Sequence, residues 1–142
     1  MDFDAALRLS GALEISGGYQ FVDAKVVRFP ANAALEGLRV PQVPFHQFTL
    51  QARYWNSSRF MLAVQGRFIG TQFEDDQNQL QLDRYFTVDL LAGYPLGRGV
   101  EVFGAFENLF NQSYTVGLTP VPTLGTPISA RIGLRVNRPA RD

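Results

Sequence analysis

Six stretches of this chain alternate apolar and polar residues with a period of two, and that periodicity constrains the fold more than any other feature. Successive side chains of a strand point to opposite faces, so each stretch is expected to form a two-faced strand. In the first, Leu7, Leu9, Gly11, Leu13, Ile15, Gly17, Tyr19 and Phe21 share a face, with Arg8, Ser10, Ala12, Glu14, Ser16 and Gln20 opposite. The apolar faces of the next three are Phe48, Leu50, Ala52 and Tyr54; then Phe60, Leu62, Val64, Gly66 and Phe68; then Phe86, Val88, Leu90, Ala92 and Tyr94. Val100, Val102, Gly104 and Phe106 form the fifth, and Ile128, Ala130, Ile132, Leu134 and Val136 the sixth. The expected fold is therefore all-β, an antiparallel up-and-down meander of about six long strands.

Strand length narrows the choice. Most of these segments run nine to twelve residues, whereas strands of soluble domains are usually about 5–6 residues and a tilted strand needs about 9–11 to cross a bilayer. The connections also alternate. Asn56-Ser57-Ser58 and Leu96-Gly97-Arg98-Gly99 read as tight turns, while Asp23 to Pro44, Gln72 to Asp83 and Leu109 to Thr126 are long, polar or Pro/Gly-rich loops. Short turns on one rim and long loops on the other suit an outer-membrane barrel. Aromatic residues mark both ends of the apolar faces. Tyr54, Phe60 and Tyr94 fall near the short-turn rim, and Tyr19, Phe21, Phe48, Phe68, Phe86 and Phe106 towards the long-loop rim. Two such girdles around an aliphatic band match the interfacial preference of amphipathic rings.

Composition removes other classes. Lys+Arg and Asp+Glu are 13 each, so the formal net charge is zero, and a nucleic-acid partner, which calls for a basic footprint, is not expected. The absence of cysteine excludes disulfides and thiolate metal sites. His46 is the single histidine, which rules out a multi-histidine metal centre. No apolar run is long enough for a membrane helix, a test that barrel strands escape. Met1-Asp2-Phe3-Asp4 is acidic and does not open a secretory signal.

Several motifs then follow in order. Gly37-Leu38-Arg39-Val40-Pro41-Gln42-Val43-Pro44-Phe45-His46 precedes a strand, Gly66-Arg67-Phe68-Ile69-Gly70 closes one, and Glu74-Asp75-Asp76 makes an acidic loop. Tyr85-Phe86-Thr87-Val88-Asp89-Leu90 opens another strand. Phe106-Glu107-Asn108-Leu109-Phe110-Asn111-Gln112-Ser113-Tyr114 runs from strand into loop, and Gly125-Thr126-Pro127 leads into the last strand. Together these resemble the C-terminal part of the β-barrel of TonB-dependent outer-membrane receptors. The resemblance implies that residues 1–142 form a segment of a transmembrane barrel of about 22 strands, with the plug, the TonB-contacting segment, the earlier strands and the export signal lying outside this sequence. Six strands alone would leave two bare edges that lipid does not tolerate, so a fragment of a longer receptor is expected.

Two positions depart from the family pattern. Ile128 stands where Arg usually follows the Pro, and the final strand runs into Asn137 and Arg138-Pro139-Ala140-Arg141-Asp142 instead of ending on an aromatic residue.

By the same resemblance the parent protein binds an extracellular small molecule (a siderophore-bound iron, cobalamin or a glycan) and imports it when TonB acts on the plug. Its partners would be outer-membrane lipid, the rest of the barrel, the plug and TonB. No cofactor, no metal site and no enzymatic activity are expected. Glu107, Asn108, Leu109, Phe110, Asn111, Tyr114, Gly125 and Pro127 carry the family signature and are assigned a structural role. Asn108 can bond its side chain to nearby backbone as strand becomes loop, with Leu109 and Phe110 anchoring the loop base. Phe73, Asp75, Asp76 and Asn78 are the candidate ligand-facing loop residues, since barrel function sits on loops.

Other readings of the polar residues are weaker. Glu101 and Glu107 lie on one strand about 20 Å apart, too far for a glycosidase pair. With Asp89 they read as lumenal charge balanced by Arg53, Arg67, Arg131 and Arg135. Asp75, Asp76 and Asn78 offer oxygen atoms to a hard cation but lack a calcium-loop spacing. Gly97-Arg98-Gly99 is a turn and not a phosphate cradle. The alternative fold, a soluble ligand-binding barrel or sandwich of lipocalin size, would put the apolar faces inside and need no detergent. A β-rich enzyme using the open-face carboxylates is the remaining rival.

Overall fold

A computed structural model describes residues 1–56, 59–97 and 99–136. Its long strands are β1 (Asp2–Arg8), β2 (Leu13–Phe21), β3 (His46–Asn56) and β4 (Phe60–Ile69). A small hairpin of β5 (Gln72–Phe73) and β6 (Gln81–Leu82) follows, then β7 (Tyr85–Gly97) and β8 (Val100–Glu107). A second small hairpin, β9 (Thr115–Gly117) and β10 (Thr123–Leu124), precedes β11 (Ser129–Val136). The long strands make one antiparallel sheet in the order β1-β2-β3-β4-β7-β8-β11. This is the up-and-down meander that the alternation predicts, interrupted only by hairpins within the loops.

The strand count is seven, one more than expected. The stretch read as a single strand from Leu7 to Phe21 is the end of β1, a turn, and β2. Leu9 N–H donates to the Leu13 carbonyl at 2.9 Å, and Ser10 Oγ accepts from the Ala12 and Leu13 N–H groups at 3.2 and 3.1 Å. Ser-Gly is ordinary turn chemistry. It was hidden because odd-numbered residues occupy the apolar face on both sides of the turn, so the period runs through it in phase. The tight turns expected at Ser57-Ser58 and Arg98, and the tail Arg138 to Asp142, lie outside the described residues.

Register keeps the two faces separate across all seven strands. Phe3, Tyr19, Phe48, Phe68 and Phe86 are successive cross-strand partners, an aromatic row spanning five strands at the long-loop rim. His46 joins this rim, its Nδ1 2.8 Å from the Tyr19 hydroxyl. Phe106 does not join it: paired with Leu90 and Ala130, it sits two rows lower, in the aliphatic band. Below come Leu50, Gly66 and Val88, and then Ala52, Val64 and Leu90, as partners on neighbouring strands. At the short-turn rim the Tyr54 and Phe60 rings lie 5.1 Å apart. From Phe60 to Phe68 the strand rises roughly 27 Å at the ordinary strand repeat, about 20 Å of bilayer height at the usual barrel tilt.

The opposite face is polar and carries its own charge pairs. Arg53 and Arg8 reach Glu14 at 3.1 and 3.5 Å, Arg135 reaches Glu101 at 3.1 Å, and Arg131 pairs with Glu107. Arg67 makes no ion pair among the described residues. Of the four cations expected to balance Glu101, Glu107 and Asp89, Arg135 and Arg131 pair with Glu101 and Glu107, Arg53 turns to Glu14 instead, and Asp89 accepts a backbone N–H from Asn108.

The sheet is one layer thick, so no conventional core forms. Among the described residues Leu35, Pro44, Ala63 and Leu82 are the buried apolar side chains, while Leu50 is 47% exposed and Leu134 67%. The chain exposes 10209 Å², against about 7,300 Å² for a self-contained folded monomer of its mass. A lipocalin-like protein would close the sheet and hide the apolar face; this one leaves it outside. In analytical ultracentrifugation the chain is expected to aggregate in buffer and to remain dispersed in detergent micelles. A monodisperse species without detergent would contradict an outward apolar face.

Candidate functional site

The candidate site lies at the long-loop rim, where three connections (residues 22–45, 70–84 and 108–128) join the strand ends. The Glu-Asn-Leu-Phe-Asn signature forms the base of the third. Asn108 is 3% exposed and adopts a positive φ of 50°, a left-handed conformation that asparagine tolerates better than most residues. Its Nδ2 donates to the carbonyls of Gln112 at 2.8 Å and Thr126 at 2.9 Å. Its Oδ1 accepts from Gln112 N–H at 2.9 Å, and its own N–H donates to Asp89 Oδ1 at 2.9 Å. One side chain thus ties the end of β8 to the entry of β11, and Asp89, on the polar face of β7, serves as its backbone anchor.

The other signature residues complete the knot. Asn111 repeats the left-handed turn with φ 50° and accepts the Ile128 N–H at 3.0 Å. That bond fixes residue 128 through its backbone, so Ile in place of Arg leaves the entry to β11 intact. Leu109 N–H donates to the Val88 carbonyl at 2.7 Å, and Gln112 Oε1 accepts the Phe86 N–H at 3.2 Å. Tyr114 stacks on Tyr85 with ring centroids 4.1 Å apart. Its ring lies directly over the Cα of Gly125, where any Cβ would overlap it, and its carbonyl accepts the Gly125 N–H at 2.8 Å. Pro127 fixes the backbone just before β11 and biases Thr126 to the extended region. Glu107 accepts from Ser129 Oγ at 3.2 Å and from Arg131. The structure brings these residues together with one exception. Phe110 is 72% exposed, so the anchoring expected of Leu109 and Phe110 falls to Leu109 alone.

The residues assigned to a ligand-facing loop are mostly engaged in building it. Asp75 accepts the N–H groups of Leu80 at 2.7 Å and Gln79 at 2.9 Å. Loss of water raises its pKa, but those N–H groups, Leu80 first, outweigh that and hold it below the ordinary value. Asn78, with φ 57°, clasps the backbone of Arg39 in loop 1. It accepts the Arg39 N–H at 2.7 Å and donates to the Arg39 carbonyl at 3.0 Å. The Phe73 carbonyl accepts Gln42 N–H at 2.6 Å. Asp76 remains exposed at the tip. Among the described residues no group of three or more His, Cys, Asp and Glu side chains could hold a metal ion.

Sequence reasoning missed the residue that links loops 2 and 3. Glu74 Oε2 accepts Leu118 N–H at 2.5 Å, and Oε1 accepts Thr119 N–H at 3.2 Å and Thr119 Oγ at 3.0 Å. Its pKa is pushed up by desolvation and, less, by neighbouring Asp75, but the Thr119 and Leu118 N–H groups bring it below its usual value. No local pattern marks this role, because the partners are 44 and 45 residues away.

Comparison with known proteins settles the family. Residues 1–109 match the model described as TonB dependent receptor-like, beta-barrel. The chain belongs to this family. It is 29% identical over 118 residues to the metal-pseudopaline receptor CntO of Pseudomonas aeruginosa, covering 80% of this chain and 16% of that receptor. The chain therefore spans about one sixth of the length of the curated relatives it matches. Among solved structures, the siderophore receptor PiuA from Acinetobacter baumannii superposes with a TM-score of 0.80 at 17% identity, over 95% of this chain and 21% of PiuA. The ferric yersiniabactin uptake receptor FyuA from Yersinia pestis gives 0.78 at 18% identity, over 95% and 22%. The meander is thus the barrel fold of TonB-dependent receptors.

Two outcomes test the rim geometry. Asn108→Leu keeps bulk but strands two carbonyls and an N–H. It should cost about 2–4 kcal/mol, read as a lower urea midpoint of the folded barrel in micelles. Asn108→Gly, which relaxes the backbone but also loses the side-chain bonds, should show a comparable loss; wild-type stability in that variant would shift the credit from hydrogen bonds to φ. For Glu74 the folded pKa is depressed, so its contribution is full above the unfolded value of 4.5 and vanishes as pH falls through the lower folded value. Protease resistance of residues 115–124 should persist to pH 5 and fail only in more acidic buffer.

Proposed function

We propose that this chain is a seven-strand sector of the wall of a TonB-dependent outer-membrane receptor, and that the receptor imports a scarce nutrient across a Gram-negative outer membrane. The observation that carries the reading is the in-register separation of an apolar outer face, bounded by aromatic rims, from a charge-paired inner face. On this reading β1 and β11 pair with further strands of the same barrel, which removes their bare edges. The outer face meets lipid, and the inner face meets water and the plug. TonB acts on the plug through a part of the receptor beyond these residues, and residues 1–142 form the C-terminal part of the barrel. The sector contributes no enzymatic chemistry and needs no cofactor.

For the cargo, a metal chelate is favoured over cobalamin or a glycan, because the curated relatives are receptors for metal-pseudopaline. Of the residues first assigned to ligand contact, Asp76 and Phe73 are the ones not consumed by side-chain bonds within the loop, so they are the sector's own candidates for touching it.

The face assignment is tested by paired charges on adjacent residues of β4. Val64→Arg places a cation in the middle of the outer face and should destabilise the bilayer-inserted receptor by about 2–4 kcal/mol. Gln65→Arg, one residue on and facing inward, should change stability by less than about 1 kcal/mol. Urea unfolding in lipid vesicles reads both, and equal effects would reject the outer-membrane orientation.

A further inference from the structure

The three outer loops are fastened to one another in unequal ways. Loop 1 is bound to the β5–β6 hairpin by backbone and side chain together. Gln42 N–H donates to the Phe73 carbonyl, Phe45 N–H to the Thr71 carbonyl, and Asn78 clasps both backbone groups of Arg39. Loop 3 divides into two parts. Its base is the Asn108 knot with Tyr114 stacked on Tyr85. Its outer arm, residues 115–124, closes on itself through the β9–β10 pairing. Among the described residues, the hydrogen bonds that join this arm to another loop all run to one carboxylate, Glu74.

Apart from those bonds, the arm touches the β5–β6 hairpin through β9 against β6, and its outer half is open to solvent. Val121 and Leu124 are each 64% exposed, and the β9–β10 register is irregular. A segment with few buried apolar contacts and exposed backbone bonds opens at low free energy without unfolding its neighbours. The base, by contrast, has a buried, fully bonded asparagine and a stacked aromatic pair.

We propose that residues 115–124 form a strap over the barrel mouth that swings on the fixed Asn108–Tyr114 base, and that the Glu74 carboxylate is its latch. The β5–β6 hairpin is then a clamp with two independent grips: Asn78 on loop 1 and Glu74 on loop 3. Breaking the Glu74 grip frees the arm and leaves loop 1 in place; breaking the Asn78 grip loosens residues 24–40, while the Gln42 and Phe45 backbone bonds still hold the end of loop 1. Displacing the Glu74 bonds, for example by a cargo group that donates to the same carboxylate, would open the strap alone. The strap's position outside the cell rests on the barrel reading; the two-grip clamp rests only on the loop geometry.

Hydrogen–deuterium exchange of the receptor in detergent, followed by peptide mass, tests this. Glu74→Ala should speed exchange of residues 115–124 on the order of tenfold or more, the scale of one lost charged hydrogen bond. Residues 24–40 and the strands β3, β4 and β7 should be unchanged. Asn78→Ala should do the converse, loosening residues 24–40 and sparing 115–124. Unchanged protection of 115–124 in Glu74→Ala would overturn the latch, and loosening of both loops by either variant would overturn the independent grips. Should Glu74→Ala disturb the strands, Glu74→Gln and Thr119→Val, each removing only part of the bonding, decide between the same outcomes. Detergent dependence of the fold, a separate observable, reports on the barrel reading and leaves the clamp test unaffected.

Discussion

Everything in this structure depends on antiparallel register. A strand has a side-chain period of two, so a slip of one residue in any of the six long pairings would carry a whole row of apolar side chains to the polar face. No second layer exists to correct such a slip, because the sheet has no core beneath it. The pairing Phe3–Tyr19–Phe48–Phe68–Phe86 is therefore more than a girdle. Large apolar side chains set at cross-strand positions favour this register where no core beneath the sheet can. On the inner face Glu14 opposite Arg53 and Glu101 opposite Arg135 favour the same register from the other side. Each exposed pair is worth little alone, but a slip would bring like or mismatched groups together in several places at once.

Register in turn has to be set at the rims, and the two rims use different physics. At the short-turn rim a few residues suffice, as in the Ser10 turn, where one hydroxyl accepts two N–H groups. At the loop rim the chain must travel far and return to the correct row. Asn108 solves this for β8 and β11 by bonding to residue 112 in the outgoing chain and residue 126 in the returning chain. It is buried and fully engaged, and a carboxamide is the one side chain of that size with both the donors and the acceptor that these positions require. Gly125 belongs to the same device, since the Tyr114 ring occupies the space of its missing side chain.

The strands were legible in the sequence because period two is a local signal repeated many times. The faces and the partition of aromatic rows follow from it, whereas the signature at residues 107–114 was legible only through the family resemblance. The same signal concealed the β1–β2 turn, since Leu7 and Leu13 fall on one face whether or not the chain reverses between them; only the Ser10-Gly11 dipeptide marks the reversal. Phe106 lies at the long-loop end of β8 as expected, but its row, opposite Leu90, is set by the β7–β8 pairing, which periodicity within one strand does not encode. The loop contacts were not legible at all. Arg39 with Asn78 and Glu74 with Thr119 join residues about 40 apart through side chain to backbone bonds, which leave no periodic trace. An acidic tripeptide looks solvated or ligand-binding until its N–H partners are seen.

That blind spot has a physical cause. A strand's environment is the same for many residues in succession, so sequence repeats it; a loop's environment differs at each residue, so each solution is single. The consequence is a division of labour along the barrel axis. Strand residues can be exchanged for others of similar hydropathy so long as the register survives, because each face asks only for apolar or polar character. Glu74, Asn78 and Asn108 cannot, because each bonds particular backbone groups in a geometry that few other side chains supply. In this chain the loop fastenings are one carboxylate and two carboxamides. Asp76 and the exposed flank of the 115–124 arm are left free to vary.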